Sequence, residues 1–146
     1  MSDFQFPEGD GWIGVDFDGT LAKYEGWDTT GTSLGTPIPL MEERIKRWLA
    51  KGIEVRIVTA RAASNSRNRV KDIELIGNWT EMYFGKRLAV TAEKDFNMIA
   101  LWDDRAVAVE PNLGLTLHDA DSDPLTMDEE LEMGWQMGLF EEDGRA

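Results

Sequence analysis

Asp16-Phe17-Asp18-Gly19-Thr20 sets two carboxylates one residue apart, directly after the apolar run Trp12-Ile13-Gly14-Val15. Two acids in that relation can divide the labour of phosphoryl chemistry. The first, Asp16, is suited to attack phosphorus and form an aspartyl-phosphate, which splits one hard step into two easier ones. The second, Asp18, is suited to protonate the leaving oxygen and then to take a proton from the water that hydrolyses the intermediate. Gly19 lets the chain turn away sharply, and Thr20 can bond back to the loop. Taken alone, the same five residues also describe an acidic Asp-Gly turn after a strand.

Three later positions enlarge the set. Carboxylates repel a phosphate unless a cation sits between them, and Asp103-Asp104 offer further oxygen ligands for Mg²⁺, a hard ion with near-octahedral coordination. Thr59-Ala60-Arg61 offers a hydroxyl and backbone N–H groups to equatorial phosphate oxygens, and Lys94 offers a positive charge. Each has an ordinary alternative. Thr59 suits the cap of a strand-to-helix turn, Arg61 a surface ion pair, Lys94 the solvent, and one of the two adjacent acids a pair with Arg105.

The elements that must position these residues alternate between strand and helix, which predicts a parallel sheet with right-handed crossovers. Strands are expected at Trp12–Val15, Ile53–Val58, Leu88–Val90, Met98–Trp102 and Ala106–Val109, the last closed by the Pro111–Gly114 turn. Tyr24 to Pro39 is expected to be a long loop or small hairpin over the end of the first strand, with Trp27 within it as cover for the site or an anchor of its own loop. Met41, Ile45, Trp48 and Leu49 share one helical face, ended by Gly52. Ser64 or Ser66 is expected to cap a second helix with Val70, Ile73 and Ile76 inward and Gly77 as its stop. Thr126 to Glu129 fits a capping box, followed by a stripe of Met127, Leu131, Trp135 and Leu139 that predicts helix over 126–140. Trp48, Trp102 and Trp135 are expected in cores and His118 on the surface. Asp16, Thr59 and Asp103/Asp104 all fall just past strand C-termini, the edge at which open α/β sheets bind ligands.

Bulk properties restrict the classes. The 146 residues suit one domain, residues 1–118, with an acidic extension at 119–146. That extension carries ten acids against Arg145 alone, so it holds most of the net charge of −13. The expected roles for it are packing as a helix on the domain or assembly into a homo-oligomer. An acidic surface disfavours polyanions at long range, although the remainder of the chain is only mildly acidic. No apolar run approaches the roughly 20 residues of a membrane span. The chain has no Cys, so disulfides and thiolate metal sites are excluded. The acidic start at Met1–Asp10 lacks the features of a secretory signal, and a cytoplasmic location is expected.

The ordered set Asp16-x-Asp18-Gly19-Thr20, Thr59, Lys94 and Asp103-Asp104 resembles the motifs of the haloacid dehalogenase (HAD) superfamily, over about Trp12 to Val109. The resemblance implies a three-layer Rossmann-like α/β fold with a parallel sheet of about five strands. It implies Asp16 as nucleophile, Asp18 as general acid/base, Thr59 as phosphate binder and Lys94 as the third-motif lysine, with Lys86 as its rival. Gly19, Thr20, Ala60 and Arg61 would line the substrate. Magnesium would be held by the Asp16 carboxylate, the Asp18 backbone carbonyl and one acid of Asp103 and Asp104. An acid two residues after the nucleophile is similar to the phosphatase branch. Thr59 follows Asp16 by 43 residues and Lys94 follows Thr59 by 35, intervals that leave no room for a full cap domain. The chain therefore resembles capless members, including small phage and bacterial ones.

The implied activity is magnesium-dependent phosphomonoester hydrolysis. The substrate would be a phosphorylated small molecule or nucleotide, or a nucleic-acid 3′-phosphate end. The polymer end is raised because Asp18-Gly19-Thr20-Leu21-Ala22-Lys23 is similar to the phosphatase domain of polynucleotide kinases. Two readings from other classes compete with an enzyme. A phospho-accepting signalling module uses a similar kit, but with its acid pair at the first strand. A degenerate, partner-binding family member would lack core motif residues, and none is missing here.

Overall fold

The computed structural model describes residues 11–24, 34–118 and 123–140. The expected cover from Trp27 and the tips of the acidic tail lie outside the described residues. The chain divides into two compact units, Met1–Asp104 and Arg105–Ala146, a division at 104/105 in place of the expected 118/119.

The first unit is built on four parallel strands, β1 (Trp12–Val15), β2 (Glu54–Val58), β3 (Ala89–Thr91) and β4 (Met98–Trp102), in the order β3-β2-β1-β4. The sheet thus has four strands, not five. Ala106–Val109 contributes only an isolated antiparallel bridge from Val109 to Thr116, closed by a turn in which Asn112 and Gly114 both have positive φ. A charge-free β1 in the middle is explained by burial on both faces.

Two helices connect the strands. Helix α1 (Pro39–Ala50) begins with proline at its first turn, where the missing N–H costs nothing, and Ile38 before it is extended. Pairs Glu42–Lys46 at 3.4 Å and Glu43–Arg47 at 3.0 Å lie on its outer side, each adding a few tenths of a kcal/mol. It ends at Gly52, whose φ of +78° suits glycine.

Helix α2 (Arg69–Phe84) departs from expectation at both ends. Asn68, not Ser64 or Ser66, stands at its N-cap, and no side chain caps it. It runs through Gly77 and stops at Gly85 with φ +72°. Its buried line is Asp72, Ile76, Trp79 and Thr80, while Val70 is 77% exposed. Gly77 is retained because the Arg87 guanidinium lies against it, 2.4 Å from where a Cβ would stand. Arg87 is held there by Asn78 at 2.6 Å and Glu74 at 2.9 Å.

Ile13, Val15, Val55 and Ile57 form one core with Met41 and Ile45 of α1 and Ile76 and Trp79 of α2. Both helices therefore cover the same sheet face, as two right-handed crossovers in the same direction require. The return from β3 to β4 is the short link 92–97, which crosses the other face. There Asp95 accepts from the Trp12 indole N–H at 2.8 Å and from Arg56 at 3.2 Å, and Arg56 stacks 4.4 Å over the Trp12 ring. Among the described residues of this unit the two helices form a single layer on the sheet. The arrangement is α/β and compatible with a Rossmann-like fold.

Thr80 ties α2 to β3. It is fully buried, donates to the Gly77 carbonyl at 2.8 Å and accepts the Leu88 N–H at 3.0 Å. Thr80→Val keeps the shape and strands that N–H, so we expect a loss of about 1–3 kcal/mol in urea unfolding. A change below about 0.5 kcal/mol would show that the bond is replaced.

In the second unit, helix α3 (Met127–Gln136) carries the expected capping box in full, but ends before 140. Its buried residues are Glu130 and Gly134, while Leu131 and Trp135 of the expected stripe are 43% and 45% exposed. Glu130 is drawn inward by the Thr116 N–H and hydroxyl, at 3.0 and 2.9 Å. Gly134 makes room for the Phe140 ring, which lies 2.6 Å from a Cβ position there. Of the three tryptophans expected in cores, Trp48 is half-buried and Trp102 and Trp135 are exposed; among the described residues the buried ones are Trp12 and Trp79. His118 is exposed as expected. Among the described residues no helix is long and apolar enough to cross a membrane.

Candidate functional site

The C-terminal ends of β1 and β4 are neighbours, so their trailing acids meet. The Asp16 N–H bonds the Trp102 carbonyl at 2.8 Å, which extends the ladder by one step past the strand. Asp16, Asp103 and Asp104 each offer an oxygen within 4.8 Å of the others.

Thr20 fastens this cluster. A tight turn, with the N–H groups of Thr20, Leu21 and Ala22 on the Phe17 carbonyl, carries it back toward β4. Its hydroxyl donates to Asp104 at 2.9 Å or Asp16 at 3.4 Å and accepts the Asp104 N–H at 2.9 Å. Gly19 has φ +87°, and a Cβ on it would lie 2.8 Å from Asp104 Oδ2. Both the turn and the close approach of Asp104 require glycine there.

Burial, the Asp103 charge, and both a hydrogen bond and the charge of Asp104 push the Asp16 carboxyl up from 3.8 to about 7, against a smaller opposing pull from the Phe17 N–H. Three acids gathered this closely are what a cation would relieve. An Mg–O distance of about 2.1 Å places ligand oxygens roughly 3 Å apart when adjacent and about 4.2 Å when opposite. The oxygen-only donor set could hold a hard cation.

Asp18 is close by but differently engaged. Its two oxygens accept a fork from Arg61, Nε to Oδ2 at 2.7 Å and Nη2 to Oδ1 at 2.9 Å. Burial works against the Arg61 charge, yet the bonds and charge of Asp18, with the charge of Asp72, hold its pKa above the ordinary arginine range. Arg61 thus forms an ion pair in this structure, and a largely buried one.

Thr59 is buried at the end of β2, with its N–H on the Thr91 carbonyl at 2.8 Å. Its hydroxyl accepts the Arg61 N–H at 3.2 Å and caps a single 3-10 turn, Ala60–Ala62. That is the capping role, and it leaves the hydroxyl proton to donate. Beside it, along the β2 and β3 edge, lies a cavity of about 330 Å³ lined by Ser64, Arg69, Thr91 and Glu93 among others.

Neither candidate lysine forms an ion pair with the acids among the described residues. Lys94 is exposed and adjoins Asp95, which is tied to Trp12 at the start of β1, the far end from Asp16. Lys86 is exposed and precedes β3, so it too lies toward the opposite edge. The sequence reading overlooked Asp72, a buried acid in the first turn of α2, 3.7 Å from Arg61. Its signal was an acid on the line of the helix that also carries Ile76 and Trp79.

Comparison of the chain with protein-family models, with curated proteins and with solved structures finds no match.

Proposed function

We propose that this protein is a magnesium-dependent phosphomonoesterase that works through an aspartyl-phosphate on Asp16. The observation that carries the reading is the meeting of Asp16, Asp103 and Asp104 at one strand edge, with Asp18 two residues from the nucleophile. A bound Mg²⁺ would neutralise the approach of a phosphate to these acids and hold one of its oxygens. Asp16, Asp103 and Asp104 would supply its protein ligands.

The residues of the chain do the rest. An Asp16 oxygen bonds to phosphorus as the bond to the leaving oxygen breaks, and Asp18 gives that oxygen its proton. Water then attacks phosphorus, its proton returns to Asp18, and inorganic phosphate leaves with the Asp16 carboxylate restored. Thr20 holds Asp104 and Asp16 in register. The Thr59 hydroxyl and the turn after it face the phosphate from β2. A small phosphorylated molecule is the preferred substrate over a polymer end, because the net charge of −13 disfavours a polyanion at long range.

The test is phosphate release from a panel of phosphomonoesters and a 3′-phosphorylated oligonucleotide, with Mg²⁺ or with EDTA. Release from small esters that EDTA abolishes is the expected result. Release from the oligonucleotide alone would move the substrate to polymer ends. A folded protein that binds Mg²⁺ and releases nothing would return the weight to a phospho-accepting or partner-binding module.

A further inference from the structure

The cavity of about 330 Å³ at the β2 and β3 edge is lined by two opposite charges that do not meet. Arg69 and Glu93 both face it, and among the described residues no ion pair joins them. Arg69 donates through Nε to the Ala62 carbonyl at 3.0 Å, which fixes the base of the guanidinium. Its terminal nitrogens have no partner among the described residues. Thr91 accepts the Glu93 N–H at 3.0 Å, so its hydroxyl proton is left to donate. Ser64 adds a second hydroxyl to the wall, and Ala62 and Val90 make part of it apolar.

This wall is bonded to the edge that carries the acids. The Thr91 carbonyl accepts the Thr59 N–H at 2.8 Å, and the Ala62 N–H reaches the Thr59 carbonyl at 3.1 Å. Strand register then supplies a ruler. Val15 pairs with Ile57 and Val58 with Thr91, all in parallel. Asp16, one step past Val15, is therefore level with Val58 and Thr91. With neighbouring strands about 4.8 Å apart, Asp16 and Thr91 stand roughly 10 Å from each other. An extended phosphate ester of about six carbons spans that interval, at about 1.5 Å per bond.

Charge along this edge differs from that of the chain as a whole. The net charge is −13, yet Ala60 to Lys71 holds four cations and no acid. Arg61 is engaged by Asp18; Arg69 is not. A guanidinium with its terminal nitrogens free matches a carboxylate or a phosphate in a planar two-bond pair. The Glu93 carboxylate only accepts, so a hydroxyl donor suits it and a bare anion does not.

We propose that this cavity binds the far end of the substrate, with a second anionic group on Arg69 and adjoining hydroxyls on Glu93, Thr91 and Ser64. The inference rests on the phosphohydrolase reading and names its substrate class. That class is a phosphorylated sugar acid or a sugar bisphosphate of about six carbons.

The experiment compares kcat/KM, with Mg²⁺ present, for 6-phosphogluconate, glucose 1,6-bisphosphate, glucose 6-phosphate and 3-phosphoglycerate. Glucose 6-phosphate lacks the second anion, and the carboxylate of 3-phosphoglycerate is too near its phosphate. We expect the wild type to prefer 6-phosphogluconate, the bisphosphate or both over these two by about 10- to 100-fold, the range of a charge-assisted pair. Preference for 6-phosphogluconate alone supports the inference with a carboxylate on Arg69, and preference for the bisphosphate alone supports it with a phosphate. Arg69→Gln should cut the preference over glucose 6-phosphate to within about threefold. Arg69→Lys keeps the charge without the fork and should lower the preference by at least about threefold, which decides the matter if Arg69→Gln does not fold. Glu93→Gln should weaken 6-phosphogluconate and glucose 6-phosphate alike, leaving their ratio within about threefold. No preference in the wild type, or one that survives both Arg69 substitutions, would overturn the inference, while phosphate release from any of these esters keeps the phosphohydrolase standing. A wild type that releases phosphate from none of them, nor from any other phosphomonoester, would overturn the underlying reading, and this inference with it.

Discussion

Asp16→Asn is expected to lower Mg²⁺-dependent phosphate release by on the order of 10⁴-fold or more, while raising the Tm of the metal-free protein. The first effect follows from the loss of the nucleophile: an amide oxygen does not form the acyl phosphate, and Asp18, the other acid after β1, is engaged by the Arg61 fork. The second follows from the site's own electrostatics. Asp16 is held among Asp103 and Asp104, and its carboxyl is pushed up to about 7 by burial and by these neighbours. At pH 8 it is mostly ionised and repelled, so the neutral isostere relieves the folded state. Allowing for solvent screening at this partly open site, relief of about 1 kcal/mol corresponds to roughly 3–6 °C for a domain of this size. The two assays separate chemistry from folding. Lost activity with a lowered Tm would point to a mainly structural Asp16, and retained activity would remove it as the nucleophile.

Magnesium should raise the Tm strongly at pH 8 and weakly at pH 5.5, with an apparent affinity that falls about tenfold per pH unit below about 7. The reason is competition between a cation and a proton for Asp16. Because the folded carboxyl titrates near 7 and the unfolded one near 3.8, the metal-free fold binds more protons than the unfolded chain between those values. Its stability is therefore greatest at the acid end of that interval and declines as pH rises through about 7. Bound Mg²⁺ should abolish the decline. Calorimetric titration in buffers of different ionisation enthalpy would measure the release, close to one proton per Mg²⁺ at pH 6. An affinity independent of pH from 5.5 to 8 would mean that the ion does not displace the Asp16 proton.

Much of this was legible before any coordinates. Strands β1 and β4 were read to the residue, because short apolar runs bounded by polar clusters leave little choice. Helix α1 was read with its end at Gly52, although Pro39, its first residue, was assigned to the preceding loop, and α3 was bounded by its capping box, local chemistry that acts within a few residues. Helix α2 was misread at both ends. Glycine inside a helix costs only about 1 kcal/mol, and Gly77 is repaid by the seat it gives Arg87, a contact ten residues away in sequence.

The sequence by itself determined the chemistry on offer: an acid pair after β1, a second acid pair after β4, and strands that end just before both. It could not determine which acids meet. That depended on β1 and β4 being neighbours in the order β3-β2-β1-β4, a choice made by crossovers and by the short link over Trp12. The same link holds Lys94 exposed and without an ion pair to the acids, although its spacing had admitted it to the site. Tertiary packing alone turned Arg61 onto Asp18 and brought Asp72 behind it. Side-chain pairing across 43 residues has no periodicity to reveal it, since it arises only when a turn after β2 and the first turn of α2 are folded against the loop after β1.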